Sequence, residues 1–441
     1  MQALEDDLDD GDAPHMSLSL QTCQQMDLQD PLRPLRDLFD LPPGMIYLDG
    51  NSLGALPRAT AARLQAVIQH EWGVGLIRSY NTAQWFDQPH ILGDRLAPWL
   101  GAGAGEVLVT DTTSVNLFKV LSVAMAMAAQ NSPGQRVLLS EVGNFPTDLY
   151  MAESVCAQHG WQLRCVQAAE LDAHLSDEVG VLMLTHVNYR TGALWDMGHW
   201  SAKAHAVGAM AVWDLAHSAG AVPLALKADG ADFAVGCGYK YLNGGPGAPA
   251  FVWAHPDHVH HAKQPLTGWW GHAQPFAFTP SYEPATGMGR FLCGSQSVLA
   301  MAALACGLDT FERSLPLGGM SALRQKSLAL TDAFIGLVQT HCAGHGLVLE
   351  TPLNPQQRGS QVSLSTQAGA YAMVQALIER GVVGDFRAGD PGRSEPDIMR
   401  FGFTPLYLGF EDVWRAVDHL RQVLDAGIWR APRFAIPHPV T

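Results

Sequence analysis

The sequence predicts an α/β protein with a mainly parallel central sheet, helices on both faces, and a smaller α+β unit after it. Two observations carry this. Beyond residue 135, short apolar runs (RVLLSE, WQLRCV, VGVLMLTHV, AMAVWD, DFAVGC and PAFVWA) alternate with helical stretches, which is the pattern of strands buried on both faces. Of the 441 residues, 47% are hydrophobic and only 16% charged, so the chain can bury a large core.

Taken in order, residues 1–30 read as an acidic tail, beginning EDDLDDGD, without structure of its own. Residues 31–300 read as an N-terminal segment and the large domain. The proline-rich stretch 31–57 contains MIYLDGNSLGALP, a short strand breaking into a Gly/Asn turn. A helical pattern follows from Arg58 to Trp72, and DTTSVNLFKVLSVAMAMAAQ predicts a capped apolar helix. The alternating strands come next. A long helix from about Ser297 leads into a smaller domain, 301–441, with strand-like GLVLET, QVSLS and DIMRFGF. It closes on FEDVWRAVDHLRQVL, where Val413, Val417, Leu420 and Leu424 recur at helical spacing.

Charge and composition exclude several functions. A formal charge of −15 with no basic face argues against nucleic acid. No apolar run approaches the roughly 18 residues of a membrane helix, and the acidic N-terminus is neither a signal nor a transit peptide. Seven cysteines without CxxC spacing predict reduced thiols and a cytoplasmic protein. The His-rich tract HPDHVHHAK matches no zinc spacing, so no metal is expected.

The chemistry concentrates at strand ends, where open α/β sheets collect ligands. Glu141, His186, Asp214 and Lys240 all fall there. Lys240 is one of only six lysines and follows a buried strand. In that place a lysine either snorkels out of the turn or is used chemically, for instance as a Schiff base to an aldehyde. Asp214 either caps the next helix or holds the protonated nitrogen of a pyridine ring, and the pair together favours pyridoxal 5'-phosphate. Thr112, Thr113 and Ser114 cap a helix or cradle a phosphate. NFPTD is a Pro-turn with a packed aromatic, or places Phe145 on a flat ring and Asp148 on a ring substituent. Arg400, inside an apolar strand, is a structural ion pair or a carboxylate receptor. GWWGH packs at a subunit boundary or lines an aryl site.

Together these segments resemble the fold-type I pyridoxal-phosphate enzymes of the class V aminotransferase group and, more narrowly, the kynureninase family. The resemblance runs from about Ile46 to Leu424 and is carried by YLDGNSLGALP, TDTTSVNLFK, GNFPTD, THVNYRTGALWDM, WDLAHSAGAVPL, GCGYKYLNGGPGAPAF, GWWGH and MRFGFTPLYLGFEDV. It implies that Lys240 is the Schiff-base lysine and Asp214 the partner of the pyridine nitrogen. Phe145 would stack on the ring, Asp148 would lie at its polar edge, and Thr185 and His217 would flank it. Thr113, Ser114 and Tyr239 would hold the phosphate, completed by Trp269 and Ser295 from a second subunit of a homodimer. Ser295 aligns with a position that varies within the family. Arg400 would take the substrate α-carboxylate, with Ser52 and His272 at the aryl ketone and a further contact near Tyr80 and Asn81.

The implied reaction is hydrolysis of L-kynurenine, or 3-hydroxy-L-kynurenine, to anthranilate or 3-hydroxyanthranilate and L-alanine in tryptophan degradation. Lys240 would move the α-proton and Tyr239 is the candidate shuttle beside it. The rival within the fold is another class V reaction, transamination or cysteine desulfuration with Cys293 as nucleophile. A non-catalytic scaffold would have no use for Lys240 and Asp214.

Overall fold

The structure, a computed structural model, describes residues 18–393 and 395–436. Thirteen strands are present among them. They are β1 (Ile46–Tyr47), β2 (Val107–Val109), β3 (Val137–Glu141), β4 (Gln162–Val166), β5 (Val179–Thr185), β6 (Met210–Asp214) and β7 (Phe233–Cys237). There follow β8 (Ala250–Ala254), β9 (Val348–Leu349), β10 (Gln361–Ser365), β11 (Val382–Val383), β12 (Asp385–Arg387) and β13 (Ile398–Gly402).

Seven strands form the large sheet in the order β2-β8-β7-β6-β5-β3-β4. β3 to β7 run parallel, and β8 runs antiparallel to both of its neighbours. The turn-rich link between β7 and β8 contains no crossover helix, so the chain returns in the opposite direction. Side chains alternate between two cores. Leu139, Leu182, Ala211 and Trp213 face one, and Leu138, Val181, Val212 and Val235 face the other. The continuous apolar runs follow from this double burial.

The smaller unit is a four-stranded sheet, β12-β13-β10-β9, antiparallel throughout. The helix Phe410–Asp425 buries Val413, Val417, Leu420 and Leu424, each contributing roughly 1.5–3 kcal/mol. The N-terminal segment joins this unit through β1, which pairs in parallel with β11.

Two expectations are corrected. The tail ends earlier than residue 30, because Leu20–Gln29 is a helix capped by Ser19, with Cys23 buried. The Asp27 carboxylate accepts from the backbone N–H of Phe410 (2.6 Å) and Glu411 (2.9 Å), which fastens this helix to the smaller unit. Residues 1–17 lie outside the described residues. Second, the helix expected from Arg58 to Trp72 is α-helical only over Thr60–Ala66 and continues as a π-helix, Val67–Gly75. No helix of the described residues is long and apolar enough to cross a membrane.

Candidate active site

Neighbouring parallel strands bring the polar residues together. The register sets Thr185, the last residue of β5, beside Asp214, the last residue of β6, and Asp214 beside Val235 of β7. Lys240 follows β7 by three residues, at the start of a turn with positive φ at Asn243, Gly245 and Gly247. Glycine adopts that backbone at little cost. The GNSLG turn lies against it: the Gly54 N–H donates to the Tyr239 carbonyl at 2.7 Å. A Cβ at Gly54 would meet the Lys240 carbonyl oxygen at 2.4 Å, so only glycine allows this approach.

Lys240 is buried, with Nζ 2.9 Å from His217 Nε2. The same Nζ lies 5.8 Å from the ring centroids of both Phe145 and Tyr239. Burial, then the charge of Lys240, holds the His217 pKa well below its ordinary value, so the imidazole is neutral and accepts from the amine. Asp214 accepts from the Ala216 N–H at 2.8 Å, and burial raises its pKa against the opposing charge of Lys240. Asp148 is pushed well up, first by burial and then by the charge of Asp214, to which it donates a hydrogen bond. Burial thus disfavours two full negative charges on this carboxyl pair. Thr185 Oγ1 donates to Asn144 Oδ1 and lies 3.4 Å from Asp148 Oδ2.

Phe145 is 37% exposed and touches the Tyr189 ring edge-on at 5.2 Å. Thr113 and Ser114 open the 19-residue helix Thr113–Asn131, whose N-cap Thr112 accepts from Val115 N–H at 3.3 Å. Thr113 Oγ1 is buried without a partner, and the helix N-terminus beside it favours an anion.

Arg400, on β13, is held by more partners than the sequence indicated. Its Nε donates to Asp385 Oδ1 (2.6 Å), Nη1 to the Tyr189 carbonyl (2.6 Å), and Nη2 to Ser52 Oγ (2.9 Å) and Asp385 Oδ2. The ion pair weighed for Arg400 is therefore present, formed across the strands with Asp385 opposite it in register. Ser52 sits inside this cluster and donates to Asp385 Oδ2 at 2.6 Å. Asp49, Tyr189, Asp385 and Arg387 escaped the sequence reading. The cross-strand alternation of DFR against IMRFG was the signal that pairs Asp385 with Arg400.

Trp269, Ser295 and His272 stand apart. Trp269 packs on Trp270 (5.1 Å between centroids) and Phe86 (6.4 Å), and Ser295 is exposed. His272 Nε2 lies 3.2 Å from the Ser281 carbonyl. Tyr80 belongs to the same aromatic group, 6.1 Å from Trp270. Among the described residues no contact joins these side chains to Lys240. Glu141 and His186 serve the scaffold. Glu141 accepts from Trp195 Nε1 at 3.3 Å, and His186 Nδ1 lies 3.0 Å from Ser218 Oγ, next to His217. Of the His-rich tract, His258 binds Asp232 (2.6 Å) opposite His205 (2.8 Å).

The residues fit a flat cofactor bearing an aldehyde and a phosphate. Lys240 supplies an amine, Phe145 an aromatic ring near it, Asp148 and Asp214 a carboxyl pair, and Thr113 an unpartnered hydroxyl at a helix N-terminus. Fold and site define the class, a fold-type I enzyme built on a strand-end lysine. Solved structures agree on the fold. An apo cysteine desulfurase from Thermococcus onnurineus NA1 matches at TM-score 0.73 and 17% identity, covering 89% of this chain and 98% of that one. A C-DES mutant with glycine covalently linked to its PLP cofactor matches at TM-score 0.72 and 18% identity, covering 88% and 98%.

Sequence relatives give the particular family. The model of the kynureninase C-terminal domain matches residues 323–420. A kynureninase of Burkholderia pseudomallei (strain 1106a) is 55% identical over 419 residues, covering 94% of this chain and 98% of the relative. One from Pseudomonas fluorescens is 54% identical over 422 residues, covering 95% and 99%. The chain belongs to the kynureninase family.

Proposed function

We propose that this chain is a pyridoxal-phosphate-dependent hydrolase that cleaves the Cβ–Cγ bond of L-kynurenine, with water, to anthranilate and L-alanine. 3-Hydroxy-L-kynurenine is its second candidate substrate. What supports the reading is the contact of Lys240 with His217 beside the Asp148–Asp214 carboxyl pair, in a chain more than half identical to kynureninases along nearly all its length.

The cofactor, when bound, supplies an electron sink for the substrate α-carbon and, through it, the β-carbon. Lys240 Nζ would carry the α-proton, oriented by His217 Nε2. Asp214, with Asp148 beside it, would hold the ring nitrogen, and Phe145 would stack on the ring. Thr113, Ser114 and Tyr239 would hold the phosphate, Arg400 would receive the α-carboxylate, and Tyr239 would pass a proton to the separating fragment.

The active unit is a homodimer in the cytoplasm. An apolar surface supports the dimer: Trp72, Val74, Leu76 and Ile77 (78% exposed) lie bare, as do Phe276 and Phe278 (82% exposed) beside Trp269. A second copy covering this surface would bring its Trp269, Ser295 and His272 toward the first copy's site. The free cysteines support the compartment. Against desulfuration stands Cys293, whose Sγ donates to Asp111 at 3.8 Å and is not directed at Lys240.

The test is product analysis. Purified protein loaded with the cofactor is expected to release anthranilate and alanine in equal amounts from L-kynurenine. Sulfide release from cysteine, without anthranilate from kynurenine, would replace this reading with desulfuration.

A further inference from the structure

We propose that Arg387 is a second receptor for the substrate carboxylate, sharing it with Arg400, and that Asp385 is the positioning residue holding the two guanidinium groups side by side. This rests on the amino-acid substrate of the proposed function.

The argument begins with donor arithmetic. A guanidinium has five N–H donors, and a carboxylate is bound best by two of them in parallel. Arg400 is 2% exposed, and four of its N–H groups are taken by Asp385 (two), Ser52 and the Tyr189 carbonyl. One donor remains, too few for a bidentate grip.

Arg387 supplies what is missing. It sits on β12 next to Arg400 on β13, in ion-pair contact with Asp385 Oδ2 at 2.8 Å, and its Nη2 donates to Ser52 Oγ at 3.3 Å. Nη1 donates to the Phe386 carbonyl at 2.7 Å, while Nε makes no hydrogen bond among the described residues. Its side chain is 35% exposed, so an entering ligand can meet it. Both arginines bind Ser52 Oγ, two residues before Gly54, whose N–H donates to the Tyr239 carbonyl beside Lys240, so the pair is tied to the turn that carries the lysine.

Electrostatics agree. Two arginines held this close disfavour each other: burial lowers the Arg387 pKa, and the charge of Arg400 lowers it further. Asp385 serves both cations at once, leaving the pair under-neutralised wherever Asp49 is protonated. A ligand carboxylate relieves that repulsion.

The experiment compares L-alanine with ethylamine, the same amine without the carboxylate. Binding of each to cofactor-loaded enzyme is followed by the change in visible absorbance. Arg387→Gln should weaken L-alanine about 10- to 100-fold and ethylamine less than about 2-fold, with Arg387→Lys recovering most of the loss. Equal weakening of both ligands, or of neither, overturns the proposal. If Arg387→Gln does not fold, Arg387→Ala takes its place: selective weakening of L-alanine supports the shared grip, and unchanged or equally weakened binding of both ligands overturns it. A wild type that responds to neither ligand fails the amino-acid-enzyme reading itself and takes this inference with it.

Discussion

The amine of Lys240 lies 2.9 Å from Nε2 of His217, and that imidazole is neutral. A neutral ring can accept from the amine and give the proton-bearing atom one direction. A charged ring would repel it. The two residues come from different strand ends, so the alignment is set by the sheet.

Asp214→Asn tests the acid below them. The amide cannot stabilise a protonated ring nitrogen, so kcat should fall by about 10²–10⁴-fold. Circular dichroism should show an unchanged fold. Turnover within threefold of wild type would remove Asp214 from the mechanism.

Gly54→Ala tests the contact between the GNSLG turn and the lysine. Its Cβ would stand 2.4 Å from the Lys240 carbonyl oxygen, and backbone on both sides leaves little room to yield. Overpacking of this kind costs about 1–3 kcal/mol. The variant should melt several degrees lower and hold the cofactor more weakly. A Tm equal to wild type would show that the turn can move away.

The fold was legible where burial is two-sided and obscure where geometry between elements decides. All six apolar runs beyond residue 135 are strands; five are buried throughout, and β4, at the sheet edge, is only partly covered. β2, of three residues, was too short to stand out, and it hides before the DTTSVN turn. Nothing in AFVWA itself sets its antiparallel direction, which depends on the missing crossover. Lys240 and Asp214 stand out in the sequence because charges sit oddly at strand ends, whereas NFPTD alone leaves Phe145 and Asp148 open between a packed Pro-turn and a ring contact. Asp385 and Arg387 do not stand out, since their meaning lies in pairing across to Arg400. Ser52, expected at the aryl ketone, hydrogen-bonds among the two arginines and Asp385.

The His205–Asp232–His258 clamp predicts a pH-dependent stability remote from the site. Hydrogen bonding to Asp232 raises the His205 pKa, so its contribution is fully present below about 6.5 and is lost as pH rises through the raised value. Burial alone would raise Asp232, but the bonds from His205 and His258 outweigh it and bring it down to about 2. That contribution is present above about 3.8 and is lost as pH falls toward 2. Tm of wild type relative to His205→Gln should therefore be highest between about pH 4 and 6.5 and shrink toward pH 8. A difference that grows toward pH 8 would contradict the clamp.

Central to the whole account is a covalent bond between Lys240 and the cofactor. Borohydride reduction of the loaded protein makes that bond permanent, and peptide mass spectrometry then locates it among the six lysines. The pyridoxyl phosphate mass should be found on the peptide containing Lys240 alone, and Lys240→Ala should carry none. Label on another lysine, or none on the wild type, would contradict the account.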